Sequence, residues 1–222
     1  MRGIDAVFVM ATPAEAGVEA ESRQATTVAD AARAAGVRHL VYSSVASADQ
    51  QTGIPHFESK YRAERHIQAL GIPSTIIAPV FFMDGFTGPW VLPGLREGKL
   101  ALALPASRKL QQVAVADIAA FAALVIERRE PFLGQRIDLA SDERSAAEVV
   151  GILSRVVGRP IEYVELPLEA MRAASADAAQ MFEWFDRVGF SADIAALRRE
   201  YPEVGWHTFE DWAKAQDWRV LQ

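Results

Sequence analysis

The chain reads as an α/β protein built on a mostly parallel sheet. Short apolar runs alternate with helical periodicity along the first 140 residues. The first runs are apolar on successive positions, as parallel strands covered on both faces are. Residues 37–83 have the strand, loop, helix, strand order of a right-handed βαβ crossover. With 222 residues, half of them hydrophobic, the chain can bury one sizeable α/β core.

Residues 5–11 (DAVFVMA) are predicted as the first strand, closed by Ala11, Thr12 and Pro13. An Ala-rich helix over 22–35 follows and stops at Gly36, the residue that most easily turns left-handed past a helix end. Residues 38–43 form a second strand, running out through Ser43 and Ser44. In the next helix His56, Lys60, Ala63, Ile67 and Leu70 recur at steps of four and three, so they share one stripe. Ala63, Ile67 and Leu70 must face the sheet, and Lys60 lies in line with them. A crossover helix runs antiparallel to its strands, so its first turn, with His56 and Lys60, falls beside the carboxyl ends of the strands. Open α/β sheets bind ligands there. Residues 74–78 make the third strand, stopped by Pro79.

From residue 81 to 110 the period dissolves among Gly85, Gly88, Pro89, Pro93, Gly94, Gly98 and Pro105, which predicts a long excursion over the ligand edge with a short strand at 100–104. A strand at 111–115 and a helix at 117–129 with the stripe Ile118, Phe121, Ala122, Val125 come next. Residues 135–140 alternate polar and apolar, as a further strand does. Ser145 and Glu148 have capping-box spacing for a helix to Val157, and residues 161–166 form a short strand. Beyond Pro167 the chain is helical and aromatic, its last helix capped by Thr208 and Asp211. The predicted division is 1–140, an α/β sheet region, and 141–222, an α/β and helical lobe packed with it as one domain.

The net charge of −6 argues against nucleic acid as a partner. Cysteine is absent, which removes disulfides, thiolate metal sites and cysteine nucleophiles and fits a reducing cytoplasm. The longest apolar helical run, 118–126, is about half of the ~20 residues a membrane span needs, so no membrane partner is expected. There is no G-x-G-x-x-G, P-loop, G-x-S-x-G or H-E-x-x-H, and the four histidines have no mutual ligand spacing, so no metal site is expected.

Residue by residue, IDAVFVMATP, GVRHLVYSSVAS, HFESK, STIIAPVFFMDGF, QQVAVADIAAFAALVI and IDLASDERSAAEVVGILSRVVGRPIEYVELP resemble, in this order, the NmrA-like family of atypical short-chain dehydrogenases. The match runs from about residue 3 to about residue 218. The resemblance implies a Rossmann-type fold that binds NADP or NAD, with a small helical C-terminal lobe on the substrate side. Members are either small-molecule reductases, including quinone reductases, or cofactor-sensing regulators without turnover.

Lys60 matches the family lysine that contacts the nicotinamide ribose; an ammonium in a crevice can donate to two hydroxyls, whereas the plainer alternative is a snorkelling helix lysine. His56 matches the family's H-x-x-x-K, standing where typical short-chain dehydrogenases have Y-x-x-x-K with tyrosine as proton donor. An imidazole can donate a proton near neutrality, and a helix-start residue without a catalytic role explains it equally. Ser43 and Ser44 stand where a serine orients substrate, or they are strand-end hydroxyls bonding loop amides. Ala11, Thr12 and Pro13 resemble the cofactor-lining turn. Pro79, Val80, Phe81, Phe82 and Met83 resemble the segment passing the nicotinamide, although core packing explains Phe81 and Phe82 as well. Trp90 is a candidate wall of the substrate pocket.

A full member of the family begins with three βα units, the first carrying the Gly-rich turn that receives the pyrophosphate at a helix N-terminus. Here Met1 stands just before what would be the fourth strand, so the expectation is an N-terminally truncated sheet without the diphosphate contacts. NAD and NADP are then not distinguished, and the strand from Asp5 to Ala11 becomes an edge through which two copies can pair as a homodimer. Three readings follow: a reductase passing hydride to a small acceptor such as a quinone, a non-catalytic NAD(P)-sensing protein, or a fragment that no longer binds cofactor.

Overall fold

The computed structural model describes residues 3–221. In chain order the elements are β1 (Ala6–Val9), α1 (Gly17–Ala34), β2 (His39–Ser43), α2 (Pro55–Leu70), β3 (Ser74–Pro79) and β4 (Phe81–Phe82). Then come α3 (Leu92–Arg96), β5 (Lys99–Leu102), β6 (Lys109–Val113), α4 (Val115–Glu127), β7 (Arg136–Leu139) and β8 (Asp142–Ser145). The last are α5 (Ala146–Val157), β9 (Glu162–Glu165), α6 (Leu168–Ala174), α7 (Ala176–Arg187), α8 (Ile194–Glu200) and α9 (Phe209–Ala215). They group into two compact units. One holds the residues through Pro79 together with Ile118–Leu139, the other Val80–Asp117 and everything from Ala140. A division at residue 140 therefore differs from the observed grouping, because the chain leaves the first unit at Pro79 and returns to it at Ile118.

The first unit is a four-stranded parallel sheet in the order β1-β2-β3-β7. On one face Val9, Ala11, Leu40, Tyr42 and Ile76 pack with Ala25, Ala29 and Ala32 of α1 and Ala63 and Ile67 of α2. On the other, the Thr75 hydroxyl donates to the Phe132 carbonyl at 2.8 Å and lies 2.9 Å from His39 Nε2. Phe121 of α4 meets Phe132 edge to face at 5.8 Å. Burial above all, then Arg129, lowers the His39 pKa. The apolar run of β1 is not buried on both sides: Ile4, Phe8 and Met10 are exposed while Val9 and Ala11 enter the core.

Local chemistry sets the helix limits. α1 opens five residues before Ser22 because the Gly17 amide donates to the Pro13 carbonyl at 2.8 Å and closes a first turn. Pro55 opens α2, where its missing N–H costs nothing, and left-handed Gly71 closes it.

In the second unit β6 lies between β4, parallel to it, and β8, antiparallel, while β5 and β9 form a separate parallel pair. β8 (DERS) carries no strand signal of its own and exists through its ladder to β6. Both predicted capping boxes are present, at Ser145–Glu148 and Thr208–Asp211. Phe86, Phe209 and Trp212 pack ring on ring, with Phe86 and Phe209 5.2 Å apart. Among the described residues no helix is long and apolar enough to cross a membrane.

Candidate functional site

In a parallel sheet every strand delivers its carboxyl end to the same edge. In the first unit these ends are Ala11, Thr12 and Pro13 after β1, Ser43 and Ser44 at β2, and Pro79 at the end of β3. Thr12 Oγ1 accepts from the Ala14 amide at 3.2 Å, a local turn that releases the chain toward α1. The ladder runs on past β2: the Ser44 amide donates to the Ile77 carbonyl at 2.8 Å and the Ala46 amide to the Pro79 carbonyl at 3.0 Å.

The first two turns of α2 bring His56 and Lys60 to this edge. The His56 ring meets Phe57 edge to face at 4.8 Å. One turn on, Lys60 Nζ donates to the Ala11 carbonyl at 3.0 Å. It also lies 3.0 Å from Glu21 Oε1 of α1. Only 12% of the Lys60 side chain and none of the Glu21 side chain is exposed. The contact with Oε1 is a charge contact and not an aligned hydrogen bond. The other Glu21 oxygen accepts from Ser59 Oγ, which lies 3.0 Å from the His56 carbonyl. Lys60 is thus not a snorkelling surface lysine: its amine is fixed between a strand end and a buried carboxylate.

A second buried acid serves β2. Glu64 of α2, wholly buried, accepts from Ser44 Oγ and from Arg136 Nε at 3.0 Å. The Arg136 guanidinium also pairs with Asp138 and donates from Nη2 to the Val45 carbonyl at 3.0 Å. It thereby holds the loop after β2, where Ser47 and Gln51 adopt φ of 61° and 54°, left-handed values unusual for residues with a Cβ. Burial, opposed by Arg136 and Ser44, raises the Glu64 pKa, and burial likewise raises that of Asp138 against Arg136. Burial works against the Arg136 charge, yet Glu64 and Asp138 outweigh it and raise its pKa. Between the two acids Tyr42 is fully buried with no hydrogen-bond partner for its hydroxyl. Burial, then Glu21 and Glu64, push the phenol far up, so it stays protonated.

The remaining candidates belong to the second unit. Val80 and Met83 are buried there. Phe81 meets Phe86 at 5.9 Å and Phe185 at 6.1 Å, edge to face, whereas Phe82 is 45% exposed. Trp90 is 82% exposed, its ring lying against Gly88. Asp117, buried, accepts from the His207 backbone amide at 3.0 Å and lies 2.5 Å from His207 Nδ1. No cluster of metal-ligating side chains occurs among the described residues.

Sequence reasoning missed Glu21, Ser59, Glu64, Arg136 and Asp138. A signal for Glu21 was present: it stands at steps of four, four and three from Ala25, Ala29 and Ala32, on the buried stripe of α1. An acid on such a stripe needs a partner.

A family model described as the NmrA-like family matches residues 1–213. A (4-alkanoyl-5-oxo-2,5-dihydrofuran-3-yl)methyl phosphate reductase of Streptomyces griseus is 31% identical over 226 residues, with 96% of this chain and 76% of the relative covered. The nitrogen metabolite repression protein nmr of Neurospora crassa is 32% identical over 162 residues, covering 67% of this chain and 33% of the relative. The chain thus spans three quarters of the first relative's length and one third of the second's. Among solved structures, an NADPH-dependent quinone oxidoreductase of Escherichia coli, complexed with NADPH, superposes with a TM-score of 0.73 at 19% identity, over 96% of this chain and 76% of that one. The mixed α/β fold with its parallel sheet is shared with that solved structure, and the chain belongs to the NmrA-like family.

Proposed function

We propose that this chain is an NAD(P)H-dependent reductase acting on a small acceptor such as a quinone. The single observation that carries the reading is Lys60, a lysine with little exposure fixed at the carboxyl edge of a parallel sheet. The residues present suit a nicotinamide ribose. The ammonium gives one N–H to Ala11 and faces the Glu21 carboxylate with another, which leaves a third for a ribose hydroxyl. The bound nicotinamide would supply the hydride. The protein would hold the ribose through Lys60 and line the site with the backbone of Ala11, Thr12 and Pro13. His56, one turn before Lys60 on the same stripe, would give the acceptor its proton. Ser44 is less suited to orient substrate, because its hydroxyl is committed to Glu64.

The test is NADPH titration followed by steady-state NADPH oxidation with a quinone, comparing wild type with Lys60→Met and His56→Ala. The reading expects Lys60→Met to weaken cofactor binding, and His56→Ala to slow turnover without weakening it. A wild-type protein that binds no NADPH refutes it.

A second reading, cofactor sensing without turnover, is favoured by one observation: histidine stands four residues before Lys60 where a tyrosine acid would stand. The similarity to a nitrogen metabolite repression protein supports it too. Cofactor binding with no acceptor-dependent oxidation across a panel of quinones selects this reading over the first.

A further inference from the structure

We infer that Glu21 is a positioning residue whose buried carboxylate holds the Lys60 ammonium in place and aimed along the strand ends, ready for a ribose diol. The inference rests on the reading of Lys60 given under Proposed function and extends it to a residue on another helix.

Three features carry it. A lysine that keeps only 12% of its side chain exposed has surrendered most of its hydration and its rotamer freedom, so an ammonium there needs a counter-charge. Glu21 is that charge, 3.0 Å away and with no exposure of its own. Next, Glu21 is itself anchored to the turn it serves. Its second oxygen takes the Ser59 hydroxyl, and Ser59 precedes Lys60 in α2. One carboxylate therefore fixes α2 through Ser59 and the amine through charge. Finally, the other buried residues of α1 are Ala20, Ala25, Ala29 and Ala32. Close packing of α1 needs only small apolar residues there, and a buried acid adds a desolvation cost that packing does not require. Nζ has three N–H donors, and with the Ala11 carbonyl and the Glu21 carboxylate facing two of them, at least one remains for the ligand.

The experiment compares wild type, Glu21→Gln, Lys60→Met and the double variant. The first readout is on the free protein: the rate at which limiting acetic anhydride acylates Lys60, by mass spectrometry, with exposed Lys99 and Lys214 of the same chain as internal standards. Without the carboxylate that holds it at 3.0 Å, the mostly buried Lys60 amine is free to swing out and reach the reagent. Lys60 should then label several-fold faster in Glu21→Gln while Lys99 and Lys214 are unchanged. The second readout is NADPH affinity. Glu21→Gln should weaken it about tenfold in the Lys60 background and not at all in the Lys60→Met background, because Glu21 acts only through Lys60. Should Glu21→Gln fail to fold, Ser59→Ala, which keeps the charge and removes its anchor, should show both effects in reduced form. Unchanged Lys60 labelling, or losses in affinity that simply add, overturns the role of Glu21 while leaving Lys60 as a ribose ligand. Wild-type protein that binds no NADPH, or Lys60→Met that binds as wild type does, overturns the cofactor reading and this role together.

Discussion

Arg136 Nε donates to Glu64 Oε2 at 3.0 Å, joining β7, the last strand of the four-stranded sheet, to the second helix through a carboxylate with no exposed surface. Removing one partner of such a pair leaves the other charge buried and alone, which costs about 3–5 kcal/mol. Arg136→Met should lower unfolding stability by that order in urea titrations. Arg136→Met with Glu64→Leu should recover much of the loss. An additive double variant would show that the two side chains are not coupled.

The same acid makes stability depend on pH. Burial raises the Glu64 pKa above its ordinary 4.5, so the native state binds this proton more tightly than the unfolded chain does. Its contribution is therefore complete below the ordinary value, falls as pH rises through the raised native value, and is constant above it. Urea midpoints of wild type and Glu64→Gln from about pH 4 to about pH 8 should show wild type losing ground across that window and then running parallel to the variant. Parallel curves throughout would contradict the shift.

Gly189 and Gly205 separate two costs of a methyl group. Both are left-handed, with φ of 78° and 70°, so alanine at either pays the steric cost of that region, about 1–2 kcal/mol. A Cβ at Gly205 meets nothing within 4 Å, but at Gly189 it falls 2.9 Å from Arg108 Nη2. That guanidinium donates to the Phe185 and Val188 carbonyls and closes the end of α7. Gly189→Ala should therefore lower the melting temperature more than Gly205→Ala does, and Arg108→Ala should narrow the gap.

β1 pairs with β2 alone among the described residues, and Phe8 within it and Met10 just after it are exposed. We propose that two copies pair along this strand. Sedimentation equilibrium should then show a dimer that Phe8→Lys converts to monomer, since a charge on an edge strand opposes such pairing. A monomeric wild type would refute it.

Much of the first unit was legible because its strands are apolar runs and its helices carry Gly or Pro at their limits. Gly36, Pro55 and Gly71 fall where those residues are cheapest. The stripe of α2 placed Lys60 among buried positions, as observed. What escaped were properties that arise only on assembly. Glu64 looks like a surface residue until the helix closes over it, and Glu21, although on the stripe of α1, shows its partner only once α2 is in place. Residues 142–145 become a strand only because Leu110 and Gln112 of β6 offer a ladder. Met10 and Phe8 appeared to belong to a doubly covered strand, because a run of apolar letters does not say which face receives a helix.

The way the chain enters and leaves its first unit bears on its synthesis. β3 is made before the second unit begins, yet its neighbour β7 is translated only after residues 80–117 and α4. Until then Thr75 lacks the Phe132 carbonyl and β3 presents a bare row of amides and carbonyls. Nascent chains interrupted between Pro79 and Leu139 thus carry an open, apolar sheet edge, the kind of surface that chaperones bind and that aggregates grow from. Neither unit can be released whole by a single proteolytic cut, because each consists of two separate lengths of chain.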